Sequence, residues 1–195
     1  AGIQFADAAG SVSNVTVLDI TQHSGCVIGN GMRVNSVVGG TPRTVTITNT
    51  TLTGFQRSGL FANGPTTVHV SGSTIGPADA LPAGVNAQNA VQIGTGNAGG
   101  TFTGNTVVGR GFGATGAAST AMLLATASNL TISNNTITGA GTDIGIAVTG
   151  GSTNITIDNN VIGRTAPGSP ENSGFGVDVD AASTGGATLA CISFS

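Results

Sequence analysis

The VDVD tetrapeptide near the end of the sequence holds the most closely spaced carboxylates of the chain. If Val177 and Val179 point into a β-structured core, Asp178 and Asp180 project from the same face, about 7 Å apart. Two carboxylates at this separation could flank a glycosidic bond or share a calcium ion. Arg164 lies upstream, and its guanidinium group could approach them. These three residues are the candidates for catalysis, and the two aspartates are a candidate Ca²⁺ site.

The same aspartates have a structural interpretation. Charges on an outer strand near the open end of a sheet discourage edge-to-edge pairing with other chains. The two histidines, His23 and His69, are far apart in the sequence and neither has a matching carboxylate. The pattern therefore predicts neither a metal site nor a nucleophilic triad. We expect His69 to be a surface residue.

The composition predicts a folded β-protein rather than a helical or disordered one. Among 195 residues there are 33 glycines, only 4% aromatic residues and 7% charged residues, with abundant Val, Ile and Thr. The mean hydropathy is positive, +0.28, whereas disorder requires low hydrophobicity and high charge. A net charge of −3 with five scattered arginines argues against nucleic-acid binding. No apolar run approaches the roughly 18–20 residues that span a bilayer.

One phrase recurs along the chain. LTISNNTITG at 130–139 is followed 25 residues later by its relative at 155–163, and weaker copies occur upstream. Recurrence at such periods is the signature of a solenoid. The copies align, with spacings of 23, 32, 30 and 25 residues, on Leu52, Ile75, Val107, Ile137 and Ile162.

A second phrase, a small residue followed by alternating apolar positions, falls between the copies of the first. Together they predict about seven coils, each of two or three short parallel strands. The second phrase occurs at 2–5, 26–29, 59–62, 90–93, 121–125, 145–148 and 176–179. Inserted loops are expected at 33–43, 77–89, 110–120 and 164–174.

The repeated Asn-Asn pair predicts an internal ladder. Stacked coils place equivalent residues on top of one another, and side-chain amides at a corner can satisfy buried backbone groups of the neighbouring coil. The predicted column comprises Thr50, Ser73, Asn105, Asn135 and Asn160.

NNTITG and NNVIG, each paired with a GIAV or GVDV strand, resemble the right-handed parallel β-helix repeats of the pectate-lyase-like superfamily. The resemblance is closest to secreted bacterial β-helix repeat proteins of undefined activity. It implies an all-β, right-handed parallel β-helix, which we expect to form a single domain over residues 1–195. Because the sequence opens directly on GIQFADAAG, itself like part of a repeat, we expect this domain to belong to a longer or processed chain. The resemblance also implies an extracellular or cell-surface location.

Enzymes of this superfamily act in a groove on the outer face of one parallel sheet. The resemblance implies either acidic residues that hold calcium beside an Arg or Lys base, or an aspartate cluster near a His-Gly pair. This sequence departs from both patterns, since it has no lysine, no Asp-Asp pair and no Gly-His-Gly. Catalysis is therefore undecided and the non-enzymatic interpretation is favoured.

The outer face of the sheet built from the second phrase is the predicted binding surface. If Leu60, Leu123 and Ile146 point inward, apolar side chains are expected on the solvent face of this sheet. An exposed apolar patch indicates contact with covering loops, with another chain or with sugar. The predicted outer row is Gln4, Ile28, Phe61, Gln92, Leu124, Ala147 and Asp178. The candidate binding residues are Phe61, Gln92, Leu124 and Asp178.

Two further expectations concern hydroxyl and thiol groups. The outward pairs Thr46/Thr48, Thr101/Thr103 and Thr131/Ser133 resemble the threonine arrays of ice-binding β-solenoids, although His69 interrupts the array and Asp158 ends it. Cys26 and Cys191 lie about five coils apart, so no disulfide between them is expected.

The sequence thus predicts a secreted or cell-surface β-helix module with a binding or structural role toward glycans or other chains. The alternative is a carbohydrate-active enzyme, either a polysaccharide lyase or a glycoside hydrolase. Ice binding is a minor alternative. The expected partners are a polysaccharide or further copies of the chain, with neither nucleic acid nor a membrane span. Ca²⁺ is a possible ligand of the two aspartates, and no organic cofactor is expected.

Overall fold

The fold consists of short β-strands wound into successive coils. The computed structural model describes residues 1–21, 28–37, 40–79, 87–112, 118–139, 142–163, 175–180 and 190–194. All regular secondary structure within these ranges is β-strand. The first three coils contain β1 (Ile3–Ala6), β2 (Gly10–Ser13), β3 (Thr16–Val17), β4 (Asn30–Asn35), β5 (Arg43–Thr48), β6 (Thr51–Leu52), β7 (Ser58–Asn63), β8 (Thr66–Ser71) and β9 (Thr74–Ile75).

The later coils repeat this order of strands. They contain β10 (Asn89–Gly94), β11 (Gly99–Thr103), β12 (Thr106–Val108), β13 (Thr120–Ala125), β14 (Ser128–Ser133), β15 (Thr136–Thr138), β16 (Ile144–Thr149), β17 (Thr153–Asp158), β18 (Val161–Ile162), β19 (Phe175–Asp180) and β20 (Ala190–Phe194).

The strands form three parallel sheets, one strand of each per complete coil. Sheet A runs β1-β4-β7-β10-β13-β16-β19, sheet B runs β2-β5-β8-β11-β14-β17-β20, and sheet C runs from β3 to β18 through every third strand. Sheets A and B have seven strands and sheet C has six among the described residues. Every strand therefore pairs with the equivalent strand of each adjacent coil among the described residues, as the predicted seven-coil solenoid requires.

The register of sheet C confirms the alignment of the first phrase. Leu52 pairs with Ile75, Ile75 with Val107, Val107 with Ile137 and Ile137 with Ile162. The first four are at most 1% exposed, so this row is a continuous strip of core. Because successive side chains of a strand point to opposite faces, the residues next to this row in each strand point to the outside.

Sheet A approaches sheet C closely because its second position holds only glycine or alanine. A Cβ atom on Gly59 would lie 2.5 Å from Ile75 Cγ2 and 2.8 Å from the Ala90 carbonyl oxygen. Gly31, Ala90, Ala121 and Gly145 occupy the same position in their coils. This close packing explains why a small residue opens the second phrase.

The predicted internal ladder is confirmed. Asn105 N donates to Asn135 Oδ1 at 2.9 Å, and Asn135 N donates to Asn160 Oδ1 at 2.9 Å. Above them Thr50 N donates to Ser73 Oγ and Ser73 N to Asn105 Oδ1. The asparagine Nδ2 groups also reach carbonyls of neighbouring coils, such as Phe102 O for Asn135. Each amide thus satisfies buried backbone groups at the corner between sheets B and C.

The residue before each ladder position has a different role. It turns the corner in the left-handed region of φ, where glycine and asparagine are tolerated best. The φ values at this position are 48° at Asn49, 57° at Gly72, 66° at Gly104, 57° at Asn134 and 49° at Asn159. Asn14 turns the same corner in the first coil, before Val15, with φ of 56°. The Asn-Asn pair therefore consists of a turn residue followed by a ladder residue.

The boundaries of the second coil differ from the prediction. The sheet A strand is β4, not residues 26–29, and Ile28 precedes it as a 63% exposed residue. Residues 26–29 (CVIG) have the apolar pattern of a strand. Strand β4 (NGMRVN) instead begins with the polar Asn30 and the small Gly31, which are the residue types that stacking requires at these two positions. The segment joining sheet C to sheet A therefore spans 18–29, where no inserted loop was predicted. Cys26 and His23 lie outside the described residues.

Candidate functional site

The outer row of sheet A is the centre of the predicted binding surface, and the strand register defines its members. They are Gln4, Arg33, Phe61, Gln92, Leu123, Ala147 and Asp178. Gln4, Phe61, Gln92, Ala147 and Asp178 are in the row as predicted. Adjacent members are separated by one strand spacing of ~4.8 Å, so the row runs along the axis of the solenoid.

Two predicted members of the row are wrong. Leu124 is fully buried in the core, and its neighbour Leu123 takes the outer position. Arg33 occupies the place predicted for Ile28. Because Met122, Leu123 and Leu124 are all apolar, the sequence does not show which of them point inward. The pairing of the polar Thr120 with Asn89 determines this in the structure. The predicted apolar patch is therefore replaced by a row of mixed polarity.

Arg33 and Phe61 form a stacked pair in this row. The Arg33 guanidinium carbon lies 5.5 Å from the centroid of the Phe61 ring, which is cation–π geometry. Both side chains are half-buried. Gln92 follows in the next coil, and its Oε1 accepts a 3.3 Å hydrogen bond from Asn89 Nδ2. A cation, an aromatic ring and a primary amide thus occupy three consecutive coils.

Asp178 and Asp180 lie at the far end of sheet A. Asp178 pairs with Ala147 and Asp180 with Thr149, so both aspartates occupy outer positions of β19. Val177 packs against the core, while Val179 is 41% exposed. Arg164, the cation predicted to approach them, lies outside the described residues. Within the described ranges, no three His, Cys, Asp or Glu side chains come together as a metal site.

The corner from sheet C to sheet A carries several of the charged side chains. Its connecting segments are 18–29, 53–57, 76–88, 109–119, 139–143 and 163–174. Of the eleven charged side chains among the described residues, five belong to these segments. The five are Asp19, Arg57, Asp79, Arg110 and Asp143.

Buried polar side chains anchor these segments. Gln88 Nε2 donates to the carbonyls of Gln56 and Asp79, at 3.1 and 3.0 Å. Arg110 Nη1 donates to Ala78 O at 3.0 Å. Asp143 is fully buried, and its Oδ2 accepts from the backbone N and the hydroxyl of Ser119, at 2.9 and 3.0 Å.

The role of Asp143 was missed from the sequence. Its signal would have been an acidic residue two positions before the GIAV phrase at 145–148, in a segment too short to keep it in solvent. Its other oxygen, Oδ1, is buried and makes no hydrogen bond within the part of the chain described. Asp143 therefore holds Phe112 and Ser119 against the coil through one oxygen only.

Sheet B presents hydroxyl groups in two outer rows. Thr46, His69, Thr101 and Thr131 are consecutive in the first, and His69 Nδ1 lies 2.9 Å from Thr101 Oγ1. His69 is thus on the outer face, as predicted, and interrupts the threonines. Asp158 closes the second row at β17. Sheet C carries an unbroken outer row that was not predicted, formed by Thr16, Thr51, Thr74, Thr106 and Thr136.

The comparison with protein families identifies the class of this fold. The right-handed β-helix region family matches residues 1–190. The chain belongs to this family, whose usual home is the pectate-lyase-like superfamily. The match and the three parallel sheets confirm the predicted right-handed parallel β-helix. No curated protein and no solved structure gives a significant match.

The described part of the chain has no helix with the length and apolarity needed to cross a membrane.

Proposed function

We propose that this β-helix is a binding module that holds an extended polysaccharide along the outer row of sheet A. The observation that carries the proposal is the succession of Arg33, Phe61 and Gln92 on three adjacent coils. Donor groups and an aromatic ring in a straight line suit a chain of sugars, whose rings offer both hydroxyls and C–H faces. The module would work outside the cell or at its surface, where such polymers are exposed.

The spacing of the row supports a polymeric ligand. Each coil advances by ~4.8 Å, which is close to the length of one sugar unit in an extended chain. Successive sugars would therefore meet successive members of the row. Leu123 extends the row with a half-buried apolar surface on the coil after Gln92.

Removal of the aromatic ring tests this proposal. Phe61→Ala takes away the stacking surface and leaves Arg33 unsupported, so we expect binding of a matching glycan to weaken about tenfold or more, as for an aromatic hot spot. A glycan array would select the polysaccharide, and affinity electrophoresis would rank the variants. Thr131→Ala, which removes an outer side chain from sheet B, is the control and should bind like the parent. Equal binding by both variants, or no hit on the array, would contradict the proposal.

A carbohydrate-active enzyme is the second candidate. The observation in its favour is that Asp178 and Asp180 lie at outer positions at one end of the same face. Any glycan that binds should then yield new reducing ends or unsaturated products, and Asp178→Asn with Asp180→Asn should abolish them. Binding without product formation leaves the binding module as the function. If the double substitution alters neither Ca²⁺ nor glycan binding, the aspartates have a structural role only.

A further inference from the structure

A second polar surface of the molecule lies away from the outer row of sheet A. An open groove of about 460 Å³ runs beside the corner between sheets A and B. This volume falls within the range of typical ligand sites, roughly 300–1,000 Å³. The groove spans several coils, and its lining includes Pro42, Pro65, Thr67, Asn97, Asn129 and Thr153.

A missing side chain opens the groove. Thr67 pairs with Gly99, and the next coil places Asn129 at the same position, since Leu130 pairs with Gly100. The side chains of Thr67 and Asn129 are therefore separated by two strand spacings, about 10 Å, with only a glycine between them. A Cβ atom on Gly99 would lie 1.9 Å from the Ser128 carbonyl oxygen, so the backbone geometry itself requires the gap.

The polar side chains around the gap differ in whether the fold uses them. Asn129 Oδ1 accepts a 2.6 Å hydrogen bond from Asn154 Nδ2, which leaves the Asn129 Nδ2 donor available. Ser128 Oγ donates to Asn97 O at 3.2 Å, which fixes the Asn97 backbone. Thr66 belongs to the lining, but its hydroxyl oxygen is buried and faces away from the groove. The polar group that the groove offers is therefore the exposed Asn129 amide, beside the Thr67 hydroxyl.

The chemistry of the lining selects an uncharged ligand. No charged side chain belongs to the lining, which consists of threonine, serine and asparagine with two proline rings. Hydroxyls and amides both donate and accept hydrogen bonds, and proline rings provide an apolar wall. A pyranose ring has the complementary set of hydroxyls and C–H faces. A charged sugar would lose hydration without meeting a counter-charge.

The geometry points to a binding site for a neutral sugar at the Gly99 groove, separate from the outer row of sheet A. Asn129 donates from Nδ2 to a sugar hydroxyl, and Thr67 on the opposite side of the gap provides its hydroxyl. The site does not depend on the proposed function, because the two surfaces share no residue.

Backbone-amide NMR with cellotetraose as the neutral probe and tri-galacturonate as the charged one tests the site. We expect cellotetraose to produce saturable shifts at Thr67, Gly99 and Asn129, and tri-galacturonate to leave these three signals in place. Absence of shifts with cellotetraose would overturn the inference. Equal shifts with both probes would overturn its claim of selectivity for uncharged sugars.

Asn129→Asp removes the proposed donor while keeping the size of the side chain and the bond from Asn154. We expect cellotetraose to bind about tenfold more weakly, since a lost hydrogen bond of ~1.4 kcal/mol is a factor of ten. Asn134→Asp is the matched control, because Asn134 also has positive φ and accepts a 2.6 Å bond, from Asn159 Nδ2, but lies outside the groove. Both variants carry the same added charge. Equal affinities in the two would contradict the assignment.

A second variant separates this site from the outer row of sheet A. Thr67→Val preserves shape and removes only the hydroxyl, so it should weaken cellotetraose binding while the spectrum remains that of the folded protein. Phe61→Ala should leave the shifts at Thr67 and Asn129 unchanged. If Phe61→Ala abolished those shifts, cellotetraose would be bound at sheet A and the groove would not be a site.

Discussion

Two adjacent asparagines at the corner between sheets B and C do opposite things. Asn134 is exposed and adopts φ of 57°, whereas Asn135 is 2% exposed and bonds to both neighbouring coils. The first residue needs a backbone that tolerates the left-handed region, and the second needs an amide with donors and an acceptor. Asparagine meets both needs, which explains why the dipeptide recurs.

We expect Asn135→Ala to destabilise the fold by about 2–4 kcal/mol, because Asn105 N and Phe102 O would lose buried partners. Asn134→Gly should change stability by less than about 0.5 kcal/mol, since glycine already occupies the equivalent position at Gly72 and Gly104. Urea unfolding followed by circular dichroism measures both. Similar losses in the two variants would contradict the separate roles.

The ladder could be predicted from sequence because stacking forces equivalent residues into one column. The backbone conformation of Asn134 was not predicted, since placing Asn135 in the column does not fix the dihedral angles of the residue before it. At the candidate site, Phe61, Gln92 and Asp178 were placed correctly by alternation from clear apolar neighbours. Leu124 was misplaced because its neighbours are apolar on both sides.

At the scale of the strand, a polar residue at the corner fixes which face each side chain occupies. Thr120 Oγ1 donates to Asn89 Oδ1 at 2.8 Å and Thr120 N to the same oxygen at 3.3 Å. These two bonds fix the register of β13 against β10, and with Thr120 inward the alternation of the strand places Met122 and Leu124 inward as well. A shift of one residue would move the whole set to the other face.

A pair of aspartate substitutions tests this register. Leu124→Asp would bury a carboxylate in the core and should prevent folding or cost about 4 kcal/mol or more. Leu123→Asp places the same group on the outer face and should leave the protein folded with a similar melting temperature. Differential scanning fluorimetry distinguishes them. A folded Leu124→Asp protein with an unfolded Leu123→Asp partner would mean that the opposite register is correct.

Strand positions were predictable where both phrases were intact, as in β14 to β18. They failed at β4, where the apolar run at 26–29 is more strand-like than NGMRVN. Strand propensity measures the fit of a side chain to a half-buried surface, whereas stacking on the coil above decides the actual pairing. The sequence pattern therefore located the coils better than it located the edge of each strand.

At the scale of the whole molecule, regular faces and a variable corner are separate. Sheets B and C carry rows of threonine, and the long connecting segments join sheet C to sheet A. Loops carry function more often than the scaffold beneath them. The sequence predicted three of the four long connections at this corner. It could not show which of their charged side chains lie close together, because that depends on the folded coil.

A solenoid in which each coil contacts only its neighbours should exchange amide protons unevenly. In the 195-residue chain we expect the central strands β7 to β14 to be protected longest, because each has a neighbour on both sides. The strands β1 to β3 and β18 to β20 should exchange earlier. Hydrogen exchange read by mass spectrometry measures this gradient. Uniform protection along the chain would show a single cooperative unit instead.

The coil from Ile137 to Ile162 completes its circuit in 25 residues and enters the next coil in register. Its corner residues, ladder amide and core positions are all contained in that one turn. A gene encoding the protein could therefore lengthen by whole-coil duplication without any compensating change elsewhere. Growth by copying would extend the threonine rows and the sheet A face together, one sugar-sized step at a time.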